Sequence, residues 1–389
     1  MNEIHKIYAS NFFIGLGTSA AVIVTLFYLA NGISQIQIAT LFSANLISYA
    51  LLEIPTGGIA DTFGHKTSVF LGIACIALSF LLTGLSHNFY LFFIAMIIAG
   101  LGFALNSGAN SSLIHDILNK IGKGEEFIKV QGRMSSSLLV GLLIASPFMS
   151  LIFKYNFRFP YLVGFLFLLI AAILILFVKW EFKGEKPSFN SYFKKMKNGI
   201  VSALKNRRVV GLVLISIGLG FGRSLFRQNI NQPFQIDIGI NVVLLGTIAA
   251  IISGSEALTS AFSHRFFEKV GANFSLLFII ITSALLLIML SQMHSVVALI
   301  PILLFAVVHT YRENVVTTLY QKEAKDTERA TMISTTSFLT YIIIGLMMPL
   351  GGAGIEVFGA RPILVMLGFL TLIFGTAGIV IYKKKYKVV

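Results

Sequence analysis

Residues 306–316 read AVVHTYRENVV and place His309, Arg312 and Glu313 inside a run otherwise apolar enough to cross a membrane. Spacings of three and four residues put the three on one broad helical face. An ionisable side chain within a span costs about 2.5 to 3.5 kcal/mol on insertion scales, so it needs a cavity, a partner or a proton path. Glu256 and Arg223 raise the same question, Arg223 following Gly218, Gly220 and Gly222 in GLGFGRSLFRQ. At 1.5 Å per residue, Arg312 falls about 15 Å and Glu256 about 9 Å from the same end of their spans, which permits a Glu256–Arg312 pair. Two chemistries fit these residues. Glu256 or Glu313 exchanges a proton as its exposure alternates, because burial penalises the charged form, or the charges form a static pair that holds the helices together. Arg223 suits an anionic or carbonyl-bearing cargo or a structural pair with Asp237, and the alternate glycines before it predict a break in the helix. Asn106 with Asn110, and Thr336 with Thr340, lie one turn apart and suit either cargo contacts or bonds between helices.

Other chemistries find no residues to carry them. The chain has no His-Glu-x-x-His, no Gly-x-Ser-x-Gly elbow and no Gly-rich loop ending Gly-Lys-Ser/Thr, so neither an enzyme, a metal site, a cofactor nor ATP coupling is expected. The one cysteine, Cys75, excludes an intrachain disulfide and reads as a packing residue.

The elements that must position these groups follow from composition. Of 389 residues, 56% are hydrophobic and 12% charged, against roughly 25% charged in soluble proteins. Stretches such as Thr67 to Ser86 and Asn273 to Gln292 carry no charge and reach the roughly 20 residues needed to cross as helix. Continuous apolarity rather than alternation selects helices over a barrel. Twelve such segments begin near residues 7, 35, 67, 89, 127, 157, 207, 238, 273, 295, 328 and 359. The first is of spanning length without a cleavage site and reads as a span, not a signal peptide.

The formal charge is +14, yet its placement argues against nucleic acid. Lys154, Arg158, Arg227 and Arg361 fall on one side and Arg223 and Arg312 within spans, while the remaining Lys and Arg gather on the side of the termini. That asymmetry predicts a multi-pass plasma-membrane protein with both termini cytoplasmic, and it makes the basic tail Lys383 to Lys387 a topology signal near anionic lipid.

Residues 181–206 are polar and basic, with Pro187. They read as a cytoplasmic linker between a six-helix bundle over 1–180 and another over 207–389, with Phe193, Met196, Ile200 and Leu204 spaced for a short surface helix. The halves echo each other. At an offset of 207, Phe27, Gly32, Ile33 and Thr40 match Phe234, Gly239, Ile240 and Thr247, and Asp61 and Gly64 match Glu268 and Gly271. At an offset of 202, Glu126, Ser135 and Pro147 match Glu328, Ser337 and Pro349. Three matches in order indicate a duplicated six-span unit, the construction of many secondary transporters.

Within this frame the stretch GGIADTFGHK, residues 57–66, lies between the second and third spans. Gly58, Ala60, Asp61, Gly64, His65 and Lys66 resemble the loop motif of the major facilitator superfamily, which runs Gly, three residues, Asp-Arg, one residue, Gly-Arg-Arg/Lys. The preceding LEIPTGGIAD is similar to bacterial members, and the resemblance extends over the whole chain. It implies an all-α membrane fold of twelve helices in two pseudo-symmetric bundles, and a rocker-switch transporter whose cavity is lined by spans 1, 2, 4, 5, 7, 8, 10 and 11. It also implies that Asp61 docks against the start of the eleventh span as a conformational latch, a place where a helix N-terminus favours a carboxylate. Glu53, Gly58, Gly64, His65, Lys66, Asp116 and Arg133 complete the expected latch region. Thr62 and His65 stand where the family carries Arg.

The expected function is alternating-access transport of a small solute by a monomer in the lipid bilayer, with protons as coupling ion and a drug-like compound or metabolite exported. The family's antiporter signature, Gly-Pro with two following glycines, is missing from the fifth span, VGLLIASPFMS, and a similar string, GLMMPLGGAG, stands in the eleventh. Import of a polar or anionic solute, motivated by Arg223 and Arg312, is the alternative. A receptor or scaffold on the same fold is a third reading, and it would tolerate loss of Glu256 and Arg312.

Overall fold

The backbone must satisfy its polar groups without water, and among the described residues every regular element is helical. The computed structural model describes residues 2–180, 199–323 and 329–383. Most of the expected linker, the residues just before Arg329 and the tail beyond Lys383 lie outside them; residues 199–205 are helical.

The first span comprises α1 (Asn2–Thr18), a 3-10 turn and α2 (Val24–Ala30); α3 (Gln35–Phe63) and α4 (His65–Leu85) follow. The fourth span is interrupted, as α5 (Phe89–Asn106) and α6 (Ala109–Lys120), and α7 (Phe127–Tyr155) and α8 (Phe159–Leu176) complete the first set. The seventh span joins α9 (Arg207–Leu225) to α10 (Asn231–Asp237) through a π turn over Phe226–Ile230. After it come α11 (Leu245–Gln292), α12 (Leu299–Glu323), α13 (Arg329–Phe358) and α14 (Ala360–Lys383). Among the described residues, eleven segments are long and apolar enough to cross a membrane. One of them contains the 48-residue α11, which at about 72 Å is more than twice the hydrocarbon thickness. It breaks at Gly271, with φ 77° and ψ 170°, into the eighth and ninth spans. The total is the expected twelve.

The chain groups into two units, one holding Met1–Ile33, Ala44–Tyr192 and Asn241–Ser253, the other Ser34–Ser43, Phe193–Ile240 and Gly254–Val389. In the first, α1 packs on α7 and α8, and α4 on α5 and α8. Lipid supplies no hydrophobic drive between helices, so close approach of small residues matters. A Cβ on Gly15 would stand 2.0 Å from the Leu138 carbonyl oxygen, and one on Gly141 2.2 Å from that of Phe12. In the second, α9 packs chiefly on α14, with Gly211 and Gly378 each 2.6 Å, at the Cβ position, from the other's carbonyl oxygen.

The duplication read from sequence is visible in local geometry. Gly32 and Gly239 both take positive φ, as do Gly64 and Gly271, conformations that suit glycine. Each unit also closes one end with an arginine. Arg158 donates to the carbonyls of Gly84 (3.2 Å) and Ser86 (2.6 Å) and to Asn31 Oδ1 (2.8 Å), and it contacts His87. Arg361 donates to the carbonyls of Ser291 (3.2 Å) and Met293 (2.6 Å) and to Asp237 Oδ2 (2.7 Å), and meets His294. Gly84, Ser86 and His87 precede Ser291, Met293 and His294 by the same offset of 207. At the opposite end of the first unit, Lys6 and Lys66 donate to the terminal carbonyls of α8, at Phe177 (2.7 Å) and Leu176 (2.9 Å), where the helix dipole favours cations.

Candidate functional site

In the second unit, Gly218, Gly220 and Gly222 do not break the helix as their spacing predicts. They lie inside α9. Gly218 and Gly220 serve close approach, a Cβ there standing 2.5 Å from the Phe374 side chain and 2.7 Å from Ile344. The α ladder lapses one turn later, in the π turn that carries Arg227, a feature frequent at functional sites. Arg223, at the end of α9, pairs with Glu256 of α11 through Nη2 and Oε1, the side chains 18% and 25% exposed. Glu256 therefore does not pair with Arg312, and Asp237 is held by Arg361 rather than Arg223. Arg312 pairs instead with its neighbour Glu313 at 3.1 Å, the acid 65% exposed. Arg227 is exposed and forms no ion pair with a described residue.

His309 is 1% exposed. Neither ring nitrogen has a hydrogen-bond partner among the described residues, nor does Arg312 Nε. Its ring meets Phe305 edge-on at 4.7 Å, and Arg312 and Arg223 are the cations whose fields reach it. Thr336 and Thr340 turn back onto their own helix, donating to the carbonyls of Met332 (2.9 Å) and Thr336 (2.7 Å).

In the first unit the fourth span breaks at Ser107–Gly108, Gly108 taking φ 74°. Hydroxyls of two neighbouring helices occupy carbonyls beside the break: Thr56 donates to Ala104 (3.1 Å) and Ser68 to Leu105 (2.7 Å). This is how interrupted helices are tolerated in membranes. Asn110 reaches Asn11 at 3.5 Å, and the Asn106 amide lies against Gly72; both asparagine oxygens lack partners among the described residues. Sequence reasoning missed Ser107, Tyr49 and Asn11, although Ser-Gly inside an apolar run is a breaker signal.

The residues assigned to the loop motif separate into distinct contacts. His65 Nδ1 lies 2.6 Å from Asp116 Oδ2, joining the start of α4 to α6. Gly64, at φ 91°, forms the turn before α4. Lys66 caps α8, and Gly58 is buried within α3, its carbonyl accepting from Thr62 (2.6 Å). Asp61 is half-buried and Arg133 exposed. Glu53 stands apart from this group. Its Oε1 accepts from Ser107 Oγ (2.9 Å) and Tyr49 OH (3.4 Å), about 12 Å along α3 from Asp61. Among the described residues no His, Cys, Asp and Glu cluster suits a metal ion.

Twelve spans in a duplicated unit, with an ion pair between two of the helices, mark a multi-pass membrane protein. The chain belongs to the Major Facilitator Superfamily, whose model matches residues 7–344. It is 24% identical over 305 residues to the Quinolone resistance protein NorA of Staphylococcus aureus (strain Mu50 / ATCC 700699), covering 78% of this chain and 74% of that protein. It is 28% identical over 168 residues to the Multidrug resistance protein MdtH of Shigella flexneri serotype 5b (strain 8401), covering 43% of this chain and 39% of MdtH. The crystal structure of the nucleoside transporter NupG is similar in fold, with TM-score 0.80 at 14% identity over 99% of this chain and all of that one. The chain is a transporter, not an enzyme.

Proposed function

We propose that this chain exports a small drug-like compound or metabolite in exchange for protons, as a plasma-membrane monomer with both termini cytoplasmic. The observation that carries the reading is the Arg223–Glu256 pair within the spans of the second unit. A carboxylate there is held by one guanidinium, and cargo or a proton that competes for either partner frees the other. The names of NorA and MdtH, quinolone and multidrug resistance, support a drug-like cargo. The asymmetry of Lys and Arg supports the orientation.

Import of an anionic solute is the second reading, favoured by Arg227, which forms no ion pair with a described residue. Proteoliposomes loaded with a pH-reporting dye, with a quinolone added outside, separate the two. Proton movement opposite to the drug supports exchange, and movement with it supports import. A scaffold would survive neutralisation of Glu256 and of Arg312. If Glu256→Gln and Arg312→Gln abolish drug movement while the protein remains folded, that idea is excluded.

A further inference from the structure

We infer that Glu53 is the carboxyl that takes up and releases the coupling proton, in a site built with Tyr49 and Ser107 at the break in the fourth span. The inference rests on the proton-coupled reading above and names the residue that serves it. Three acids lie within the spans around the candidate sites, and their partners differ. Glu256 has Arg223 and Glu313 has Arg312, so protonating either means giving up an ion pair. Glu53 makes no ion pair with a described residue, and its hydrogen-bond partners are two hydroxyls. An ionised carboxylate in a membrane without a counter-charge is costly, whereas the neutral acid needs none.

Hydroxyls also suit a group that alternates. Ser and Tyr can donate to a carboxylate and accept from a carboxylic acid, so the site is satisfied in both states. Tyr49 OH and Ser107 Oγ lie 3.4 Å apart, which closes a three-membered network around the acid. The facing span carries no Asp, Glu, Lys, Arg or His from Asn88 to Ile114; its His115, Asp116 and Lys120 come two or more turns of α6 beyond Ser107, and Asp116 is held by His65. On its own helix, Tyr49 is the titratable group in contact and Asp61 lies two turns away.

The duplication argues against a purely structural role. At the offset of 207, Glu53 corresponds to Ser260 and Ser107 to Asn314. In the second unit these counterparts also bond, Asn314 Nδ2 donating to Ser260 Oγ at 3.3 Å. The same helix–helix contact is thus made with neutral groups in one half, and only the first half places an ionisable group there. Gly108 supplies the other difference, breaking the helix beside Ser107, where Val315 continues α12 without interruption.

Infrared difference spectra of the protein in lipid nanodiscs, stepped in pH, test the site without requiring transport. The wild type is expected to show a titrating carboxyl C=O band that is absent in Glu53→Gln, retained in Glu256→Gln and displaced in midpoint by Ser107→Ala. A band unchanged in Glu53→Gln overturns the assignment. Should Glu53→Gln fail to insert, Glu53→Asp decides, because an unmoved band rejects it. In proteoliposomes, Glu53→Gln is expected to lose quinolone accumulation driven by a pH gradient but to keep quinolone–quinolone exchange, and Glu53→Asp to retain both. Undiminished gradient-driven accumulation in Glu53→Gln overturns the coupling role. A wild type that moves no protons with the drug instead defeats the function proposed above, and the infrared result still decides whether Glu53 is the proton site.

Discussion

Replacing Arg223 by Gln removes one member of a pair whose side chains are 18% and 25% exposed and leaves Glu256 inside the membrane without its cation. Stranding one partner of a buried pair costs about 3 to 5 kcal/mol, and the remaining exposure places the expected loss near the lower end, about 3 kcal/mol. Glu256→Gln should cost a similar amount, because it strands Arg223 within reach of the cation Arg227. The double variant removes both charges and the desolvation that came with them, so it should lie within about 1 kcal/mol of the parent. The assay is reversible unfolding of purified protein in mixed micelles, followed for the parent, both single variants and the double variant. With single losses of about 3 kcal/mol each and a double loss of about 1 kcal/mol or less, the cycle should give a coupling energy of about 5 kcal/mol, far from additive. Additive losses would refute the pair as a physical unit and remove the basis for treating it as a switch.

His309 buries two ring nitrogens without partners among the described residues. His309→Phe should therefore leave stability unchanged or raise it by about 1 kcal/mol, since an unsatisfied buried polar group costs about 1 to 3 kcal/mol; thermal unfolding checks this. Gly15→Leu should prevent folding of the first unit, because the Cβ alone would stand 2.0 Å from the Leu138 carbonyl oxygen; the yield of monodisperse protein reads it directly. Arg158→Gln and Arg361→Gln should each loosen one end of their unit by about 2 kcal/mol through loss of charge-assisted hydrogen bonds. Limited proteolysis should then cut near His87 in the first variant and near His294 in the second.

Span positions and the duplication were legible because both follow from what lipid forbids. An uninterrupted apolar run must be helix, and the starts near 35, 89, 127, 207 and 359 fall within a residue of observed helix starts. The paired glycines Gly32 with Gly239 and Gly64 with Gly271 were readable as pairs because each half needs the same turn. Side-chain pairing was less accessible. Depth along a helix made Glu256 and Arg312 candidates for one another, but rotation about the axis sets the partner, and it turned Glu256 toward Arg223. Alternate glycines in the seventh span favour a break by propensity alone, yet tight packing on Phe374 and Ile344 keeps them helical. The break at Gly108 went unread although its Ser-Gly signal was present, and with it the surroundings of Glu53. Nearness to Asp61 in sequence suggested a shared role for Glu53; two further turns of helix carry it to the fourth span instead.

The central claim is that a pH gradient drives cargo through this chain, and one flux measurement addresses it most directly. Purified protein in liposomes of defined internal pH is given a quinolone, and accumulation is followed with the gradient imposed, collapsed by an ionophore, and reversed. The account predicts accumulation that follows the gradient, vanishes when it is collapsed, and changes direction when it is reversed. Accumulation indifferent to the gradient, or none in any condition with protein that remains folded, would contradict it.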